Sequence, residues 1–503
     1  MNAAGYRYAA SDQAFYIPAI LRHLDPALFP RDAVLVDSQA RLIAFDELAA
    51  AIVRTTGLSI QHLFLGFYVV TLLLLYAGIT RIASRFALTR WTTVALAAAL
   101  TLRHAIAKTG ANTLESYFHP RELAFALGLL ATGAFLDRRW AIVPALLLVA
   151  GLFHPTTAVW FGVWLSIAAW ARATRHRAAV AACVGAAAAA GAALLVAGPF
   201  AGRFGRMDAE WLAAIGPKDL FPLDWPLNVW FTNLVALPVI AFGWRARRAA
   251  GLLVPGESAL VVGAFGLFGL FLCWLPFNIA HVAIAVQLQL SRVFWLLDVF
   301  GTIYLVWMIA EGARGARGAR GARGARGAQG APGAPGAPGA QSAEVPRAGG
   351  RRAAVVAGVI IAMAFARGAY SGFVEFPDRP LFAVDLQHND WRDAMAFART
   401  TDPASGWLAD PLHAAKYGSS LRAAGHRDVL IEPLKDHAIA MYDRSIAMRV
   451  ADRERALTVL PWNTPEGARA LARRFGLDYL VVDTPLDLPL AHRSGSLYIY
   501  QLR

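Results

Sequence analysis

The chain is poor in charged residues and in cysteine. Only 16% of its 503 residues are charged, against about 25% in an ordinary soluble domain. Its two cysteines, Cys183 and Cys273, both fall in apolar stretches, so neither a disulfide framework nor a cysteine metal site is available. Hydrophobic residues make up 57% of the chain. This composition excludes a soluble enzyme, a disordered chain and a disulfide-stabilised scaffold.

Apolar blocks recur along the chain at lengths of about 16 to 25 residues, enough to cross a hydrocarbon core of about 30 Å. They predict a polytopic α-helical membrane protein of about ten spans with a small C-terminal extracytoplasmic α/β domain. The predicted spans are 61–80, 91–107, 121–136, 140–154, 155–171, 178–198, 228–244, 257–275, 286–310 and 353–370.

Lysine is also scarce, so the net charge of +14 comes mainly from arginine. Arginine-rich connections lie at 81–90, 137–139, 172–177, 245–248 and 311–352. They alternate along the chain with connections that are nearly neutral. Short basic connections stay in the cytoplasm. We therefore expect a multi-pass protein of the bacterial inner (cytoplasmic) membrane with both 1–60 and 371–503 outside the cytoplasm. The orientation accounts for the positive charge, and a nucleic-acid partner is excluded.

The sequence divides into five regions with different patterns. They are a first extracytoplasmic loop (1–60) with amphipathic interfacial helices at Ala14–His23 and Leu42–Val53, a membrane bundle (61–310), a low-complexity cytoplasmic linker of Gly-Ala-Arg and Gly-Ala-Pro repeats (311–352), a last span (353–370) and a periplasmic α/β domain (371–503). Within the last region, periodicity predicts helices at Trp391–Thr400 and Thr464–Phe475 and strands at Gly406–Asp410, Asp478–Asp483 and Ser496–Leu502.

The first residues lack a signal peptide, since Met1–Ser11 has neither a basic start nor an apolar core. Residues 1–60 must still cross the membrane. We expect a further membrane helix upstream of the present start, which would make eleven spans. Translocation of the short tail by the first span is the alternative.

Acidic residues are frequent in the first loop. They are Asp12, Asp25, Asp32 and Asp37, interspersed with Arg22, His23 and Arg31. Carboxylates held against a membrane surface suit a general base or a metal ligand. The alternative is that each carboxylate is simply solvated.

Two His-Pro pairs and two arginines provide further polar groups near or inside spans. His119, with Arg121 and Glu122, and His154 are expected at one depth, although either histidine could be a plain helix cap. Arg103 and Arg292 fall inside spans, where a charge costs about 3 kcal/mol and marks a functional cavity or an ion pair. The candidate ion pairs are Arg292 with Asp298 and Arg103 with Glu115. Because arginine binds phosphate in a bidentate manner, the whole set suits a lipid-linked phosphate substrate.

Several stretches, taken in order, resemble the GT-C superfamily of integral-membrane glycosyltransferases, in a bacterial branch. These are GYRYAASDQAFYIPAILRHLDPALFPRD (5–32), YFHPRELAFALGLLA, GLFHPTTAVW and LQLSRVFW, followed near the C-terminus by WRDAMAFARTTDPASGWLADP and ARRFGLDYLVVDTPLDLPL. The resemblance extends over most of the chain.

The resemblance implies transfer of a sugar from a polyprenyl-phosphate donor to an envelope acceptor at the periplasmic face, with inversion. It makes Asp12 the candidate general base, with Asp32 as the alternative. The implied substrate-binding residues are Arg292 and Arg103 for the donor phosphate, together with His119, Arg121, Glu122 and His154. Some relatives bind a divalent metal with loop acids. Here Gln13 follows Asp12 where many relatives have a second acid, so the metal is left open.

Two other classes of function remain compatible with the sequence. A lipid-linked glycan transporter or flippase would also place arginine in a membrane cavity, and it would be expected to have broken mid-membrane helices and paired repeats. A non-catalytic envelope scaffold would bind a partner through its C-terminal domain.

Overall fold

The computed structural model describes residues 5–40, 43–102, 105–173, 177–197, 201–215, 220–312 and 350–503. Two sequence predictions lie outside these ranges. They are the role of Arg103 and almost all of the linker 311–352.

The N-terminal segment folds into a short strand and three helices. Strand β1 (Tyr6–Arg7) is followed by α1 (Gln13–Leu24), α2 (Ala33–Ala40) and α3 (Phe45–Thr56). The two predicted amphipathic helices correspond to α1 and α3. However, α1 is buried over most of its length, because it packs against α2, α3 and Leu421–Gly425. The helix is therefore enclosed by protein and does not lie along an open surface.

The central region is helical apart from one small hairpin, as far as the structure describes it. Its elements are α4 (Ile60–Arg85), α5 (Arg90–Ala99), β2 (Ala105–Ile106), β3 (Ala111–Asn112), α6 (Pro120–Leu136), α7 (Ile142–Phe153), α8 (Pro155–Arg172), α9 (Arg177–Ala197), α10 (Ala209–Ala214), α11 (Leu227–Leu234), α12 (Ala236–Ala249), α13 (Glu257–Ile279), α14 (Ala283–Gln287), α15 (Val293–Ala310) and α16 (Gly350–Tyr370).

Five helical stretches among the described residues are long and apolar enough to cross a membrane. They are Ile60–Arg85, Leu227–Ala249, Glu257–Ile279, Ala283–Ala310 and Gly350–Glu375. Their length and composition indicate a membrane protein. The count of ten spans and the orientation of the chain stay predictions.

Two of the predicted spans are interrupted by backbone that is not helical. For 91–107, α5 ends at Ala99 and the β2–β3 hairpin follows, so the ten-residue helix covers only about 15 Å. The hairpin turns through Gly110, whose φ of +63° belongs to the left-handed region. For 286–310, the helix is interrupted at Gln289, where φ is +47°. Hydrophobicity alone does not predict either break in the helix.

Glycines let the bundle helices approach each other closely. A Cβ on Gly78 of α4 would lie 2.9 Å from the Cβ of Leu129 on α6, and a Cβ on Gly128 would lie 2.3 Å from the ring of Phe161 on α8. Small residues at helix crossings replace the hydrophobic driving force that is missing between helices in lipid. The middle of α6 is thereby packed closely against α4 and α8.

The C-terminal domain is a mixed sheet with helices on it, as the sequence predicts. Its elements are β4 (Phe382–Ala383), α17 (Asp390–Thr400), β5 (Gly406–Ala409), α18 (His413–Tyr417), α19 (Leu421–Gly425), β6 (Asp428–Val429), α20 (Pro433–Ala440), α21 (Arg444–Val459), α22 (Pro465–Phe475), β7 (Tyr479–Val482), β8 (Leu490–Ser494) and β9 (Leu497–Gln501). The sheet order is β6-β5-β7-β9-β8. Strands β6, β5 and β7 are parallel, and β9 is antiparallel to both β7 and β8.

The N-terminal segment is joined to the C-terminal domain through backbone pairing. Strand β1 runs parallel to β4, with Tyr6 opposite Phe382. The approach begins at Gly5, where φ is +75° and an added Cβ would lie 1.7 Å from the Leu381 carbonyl oxygen. Only glycine fits this contact. The pairing fixes where residues 8–12 lie relative to the C-terminal domain.

Candidate functional site

The carboxylate of Asp12 is the meeting point of the N-terminal segment, the start of α6 and the C-terminal domain. Lys435 Nζ, on α20, lies 2.6 Å from Oδ1. His119 Nε2 lies 3.2 Å from Oδ2, and the Tyr117 hydroxyl donates to Oδ2 at 3.4 Å. Asp12 precedes α1 but does not cap it through its side chain. Its oxygens are therefore available for these long-range contacts.

Gln13 holds this part of the chain in place. It is fully buried, accepts from the Ala9 backbone N–H at 2.6 Å and donates to the Phe118 carbonyl at 3.1 Å. A carboxylate at this position could accept but not donate. Gln13 thus ties Asp12 to the His119 segment.

His119 is a neutral donor to Asp12. Its Nδ1 accepts from the Arg121 backbone N–H at 3.1 Å, which places the proton on Nε2, the atom that faces Asp12. Burial and the Arg121 guanidinium lower the pKa of His119 to about 3, so the ring is uncharged at neutral pH. His119 therefore caps the start of α6, as the alternative interpretation of the His-Pro pair predicts. The same contact orients its ring toward Asp12.

Asp12 is ionised at neutral pH. Burial alone would raise its pKa, but the Lys435 ammonium, together with His119 and Arg121, outweighs burial and holds the pKa of Asp12 well below its usual range. The carboxylate can thus accept a hydrogen bond from a ligand hydroxyl throughout the physiological pH range.

A cavity of about 240 Å³ lies beside Asp12. Residues predicted from the sequence line it, namely Asp12, His119, Arg121, His154 and Arg292. The C-terminal domain contributes Met441 and Tyr442. The structure therefore assembles most of the predicted residues at one site, between the bundle and the C-terminal domain.

Arg292 reaches the cavity because its helix is broken. The chain takes a left-handed turn at Gln289 and a short 3₁₀ turn over Leu290–Arg292 before α15 begins. Non-helical backbone at membrane depth is tolerated where it is enclosed by protein or lines a cavity, and Gln289 and Arg292 both line this one. Arg292 Nη1 lies 3.3 Å from His154 Nε2. His154 also caps α8, since its Nδ1 accepts from the Thr157 backbone N–H at 3.3 Å and lies 2.9 Å from Thr157 Oγ1.

Two buried donors in the cavity wall have no acceptor among the described residues. Arg121 Nη2 donates to Glu115 at 2.8 Å, yet Arg121 Nε, like Arg292 Nε, has no partner among the described residues. Buried polar groups are nearly always paired. These two guanidinium groups, each with an N–H that is unpaired among the described residues, suit an anionic ligand in this cavity.

Glu122 and Asp32 lie elsewhere. Glu122 is buried behind the cavity, where it accepts from the Glu115 backbone N–H. Asp32 is fully buried between the N-terminal segment and the C-terminal domain. Its Oδ2 accepts from Arg422 Nε at 2.8 Å, and Oδ1 contacts Arg453 at 3.3 Å as well as Arg449. Asp32 thus joins the two parts of the chain and does not line the cavity.

Asp32 and Asp428 form a buried pair of carboxylates with different proton affinities. Asp428 accepts from the backbone N–H groups of Arg31 and Asp32 at 2.9 Å each. Arginines hold the pKa of Asp32 below its usual range despite burial, whereas burial and the neighbouring Asp32 raise the pKa of Asp428 to about 6. As the pH falls, Asp428 is therefore protonated at a higher pH in the folded state than in the unfolded chain.

Replacing Asp428 with Asn is expected to flatten the pH dependence of stability. Since the folded pKa of about 6 exceeds an unfolded value of about 4, the wild type gains stability as pH falls from about 7 to about 4.5, and the variant lacks this gain. Thermal unfolding in detergent at both pH values measures it. Asp487→Asn, at an exposed acid, is the control and should follow the wild type. Parallel profiles for wild type and Asp428→Asn would contradict the assignment.

Lys435 is the main site residue that sequence reasoning missed. It is separated from Asp12 by 423 positions, so no local pattern connects them. The sequence does carry one indication of a special role for Lys435, which is that lysine is rare in this arginine-rich chain. Tyr442 also lines the cavity and gave no sequence signal.

The residues around Asp12 do not fit a divalent metal. Within the part of the chain that the structure describes, no group of three or more His, Cys, Asp or Glu side chains could hold one. The neighbours of Asp12 are instead Lys435, His119 and Arg121, two of which repel a metal cation. Mg²⁺ and related cations need several oxygen ligands. The Lys435 ammonium supplies the positive charge next to the carboxylate.

The fold and the site define a class, which is a helical membrane protein with an arginine-lined cavity between its bundle and a mixed α/β domain. No protein-family model matches the chain, and no curated protein matches it at a significant level. The likeness to GT-C glycosyltransferases rests on sequence motifs, so the particular activity is a proposal.

Proposed function

We propose that the protein is a membrane glycosyltransferase that moves a sugar from a polyprenyl-phosphate donor to an envelope acceptor at the periplasmic face, with inversion. The observation that carries the proposal is the cavity in which the Asp12 carboxylate faces Arg121 and Arg292, each with an unpartnered buried N–H. An ionised carboxylate opposite anion-binding groups is the arrangement that such a transfer needs. The donor lipid would enter along the bundle, and the acceptor from the C-terminal domain.

The arginines would act on the leaving phosphate. When the bond between the anomeric carbon and the phosphate oxygen breaks, the polyprenyl phosphate changes from a monoanion to a dianion. Arg292 and Arg121 can stabilise this added charge through their unused N–H groups, and charge-assisted bonds of this kind are strong. The stabilisation grows as the bond breaks, so it lowers the barrier.

Asp12 would receive the proton of the acceptor hydroxyl. Its depressed pKa makes it a weak base, so proton transfer would come late, after the acceptor oxygen has begun to bond to the anomeric carbon and has become acidic. The new bond forms on the face opposite the leaving phosphate, which inverts the configuration. His119 and Lys435 would hold the carboxylate in position.

Arg292→Gln is expected to weaken donor binding by about tenfold to a hundredfold, because hydrogen bonds to charged groups contribute about 1.5–3 kcal/mol. Binding of undecaprenyl phosphate to the detergent-purified protein measures the effect. Arg245→Gln removes an exposed arginine from the bundle and should bind like the wild type. Equal affinities for Arg292→Gln and Arg245→Gln would contradict the phosphate role.

Lys435→Gln is expected to move the acidic limb of the pH–rate profile to higher pH. The Lys435 ammonium is the largest charge effect that lowers the pKa of Asp12, so its loss raises that pKa and protonates the base at pH values where the wild type is active. The measurement is kcat/KM between about pH 4 and about pH 8. Lys435→Arg should restore much of the wild-type profile, and an unchanged profile in Lys435→Gln would argue against this coupling.

The activity itself can be tested without knowing the sugar or the acceptor. Every such transfer releases free polyprenyl phosphate. The protein is reconstituted in vesicles with a panel of undecaprenyl-phosphate sugars and a cell-envelope fraction, and released undecaprenyl phosphate is measured. Release that depends on the protein and on the envelope fraction supports the proposal. No release with any donor contradicts it.

A lipid-linked glycan transporter is the second candidate, because the helix over 283–310 is interrupted beside the cavity. In the same vesicles, a transporter would move intact lipid-linked sugar between leaflets without releasing polyprenyl phosphate. The two outcomes separate the candidates.

A further inference from the structure

A second cavity lies on the other side of the Asp12 contacts. It has a volume of about 290 Å³ and is formed between the N-terminal segment and the C-terminal domain, near the lower end of the ~300–1,000 Å³ range of small-molecule sites. Tyr117 and Lys435 line it, and both contact the Asp12 carboxylate. The two cavities are thus separated by the Asp12 cluster.

The wall of this second cavity carries two arginines without acidic partners. Arg7 donates from Nη2 to Ser116 Oγ at 2.9 Å, while its buried Nε has no partner among the described residues. Burial and the nearby Arg379 guanidinium lower the pKa of Arg7. The Arg379 guanidinium lies over the Phe376 ring, 4.0 Å from its centroid. Neither arginine has an ion-pair partner within the described ranges. Two close guanidinium groups of this kind are mutually repulsive until an anion lies between them.

Trp391 adds an aromatic surface and a third unused donor. Its side chain lines the cavity, is only 2% exposed and stacks on Tyr417 with ring centroids 4.7 Å apart. The indole Nε1–H has no partner in the described structure. A buried tryptophan N–H usually finds an acceptor, so this one is available to a ligand oxygen.

The acids of the cavity do not neutralise these cations. Glu432 is already bound by Ser420 Oγ at 2.8 Å and by His413 Nε2 at 3.0 Å, and it also contacts Arg422. Asp385 is the other acid in the lining, while Arg7, Arg379 and Arg392 contribute positive charge. Lys435 also lines the cavity, but Asp12 neutralises it. The cavity therefore has an excess of positive charge.

We propose that this second cavity binds an anionic, hydroxyl-bearing ligand, with Arg7 and Arg379 on its phosphate or carboxylate group and Trp391 on a neighbouring oxygen. The identification of this ligand as the glycan acceptor rests on the proposed function, whereas the binding of an anion in this cavity does not. A hydroxyl of such a ligand would face the Asp12 cluster from the side opposite the first cavity. The acceptor is then an anionic glycan, and a neutral sugar would bind poorly.

The test is calorimetric binding to the detergent-purified full chain, with glucose 1-phosphate, glucuronate and glucose as probes. We expect at least one anionic probe to bind about tenfold or more tightly than glucose, and the tighter of the two identifies phosphate or carboxylate as the ligand group. Arg7→Gln and Arg379→Gln should each weaken that binding about tenfold. Trp391→Phe, which keeps the stacked ring but removes the N–H, should weaken it several-fold.

A control variant locates the binding. Arg473→Gln removes an exposed arginine from the same domain and should bind like the wild type. Equal binding of glucose, absence of binding by both anions, or a loss in Arg292→Gln without one in Arg7→Gln would each overturn the proposal. Each variant is compared by thermal unfolding. If Arg7→Gln unfolds, Arg379→Gln and Trp391→Phe decide the outcome.

The results also separate this inference from the proposed function. Anion binding that depends on Arg7, in a protein that releases no polyprenyl phosphate from any donor, would contradict the glycosyltransferase and leave the anion site standing. Transfer to a neutral acceptor, unaffected by Arg7→Gln, would contradict the anion site and leave the glycosyltransferase standing.

Discussion

Replacement of Asp12 by Asn is expected to lower the rate of sugar transfer by about 10²–10⁴-fold, the usual contribution of a general base. Asparagine has nearly the same shape and can still accept from Lys435, but it cannot take up the proton of the acceptor hydroxyl. Its amide group would also face the Nε2–H of His119, a contact that the carboxylate satisfies at 3.2 Å. Release of undecaprenyl phosphate measures the rate.

Three comparisons make the Asp12→Asn result interpretable. Binding of undecaprenyl phosphate should be retained, because the substitution removes negative charge from the cavity. Membrane insertion and thermal stability should stay close to those of the wild type. Asp25→Asn changes an exposed acid of the same segment and should transfer normally. Transfer at the wild-type rate in purified Asp12→Asn would show that the base is another group.

Asp32→Ala is expected to destabilise the protein by about 3–5 kcal/mol, the effect of removing one partner from a buried ion pair. The change leaves Arg449 and Arg453 without their carboxylate and Arg422 with fewer partners. Because the folded pKa of Asp32 is depressed, its stabilisation is present above about pH 4 and declines as pH falls further. Chemical and thermal unfolding, with limited proteolysis at the joint between the N-terminal segment and the C-terminal domain, measure it.

The matched control is Asp37→Ala. Asp37 also pairs with an arginine, Arg22, at 2.9 Å, but both side chains are partly exposed, and such pairs contribute about 0–1 kcal/mol. A normal stability for Asp32→Ala combined with complete loss of transfer would instead restore Asp32 as a catalytic candidate.

Local signals predict five elements of the C-terminal domain, α17, α22, β5, β7 and β9, but not its longest helix, α21. The Thr464-Pro465 start of α22 is formed as expected, with the Thr464 side chain accepting from Gly467, because caps and periodic apolar residues act within a few positions. The interruption at Gln289 is not predicted from the sequence, although Gln287, Gln289, Ser291 and Arg292 make this a polar stretch of the predicted span. The left-handed conformation at that residue follows from packing, which the local sequence does not encode.

The candidate site was predicted as a set of residue types but not as a set of roles. Asp12 and Asp32 are acids of the same segment, and nothing in their neighbouring residues distinguishes them. Their partners distinguish them, and these partners are distant in sequence: Asp12 contacts Lys435, whereas Asp32 contacts Arg422. Only tertiary structure shows that one carboxylate lines a cavity and the other joins two parts of the chain.

The separation of Asp12 and Lys435 along the chain also determines when the site can form during synthesis. Ribosomes add about 5–20 residues per second, so the 423 positions between these residues correspond to roughly 20–80 s of synthesis. During that interval the bundle is being inserted while Asp12 lacks Lys435, and the cavity lacks its wall from Met441 and Tyr442. An unfinished chain therefore has no complete site until the part of the C-terminal domain that carries Lys435, Met441 and Tyr442 has been made and folded.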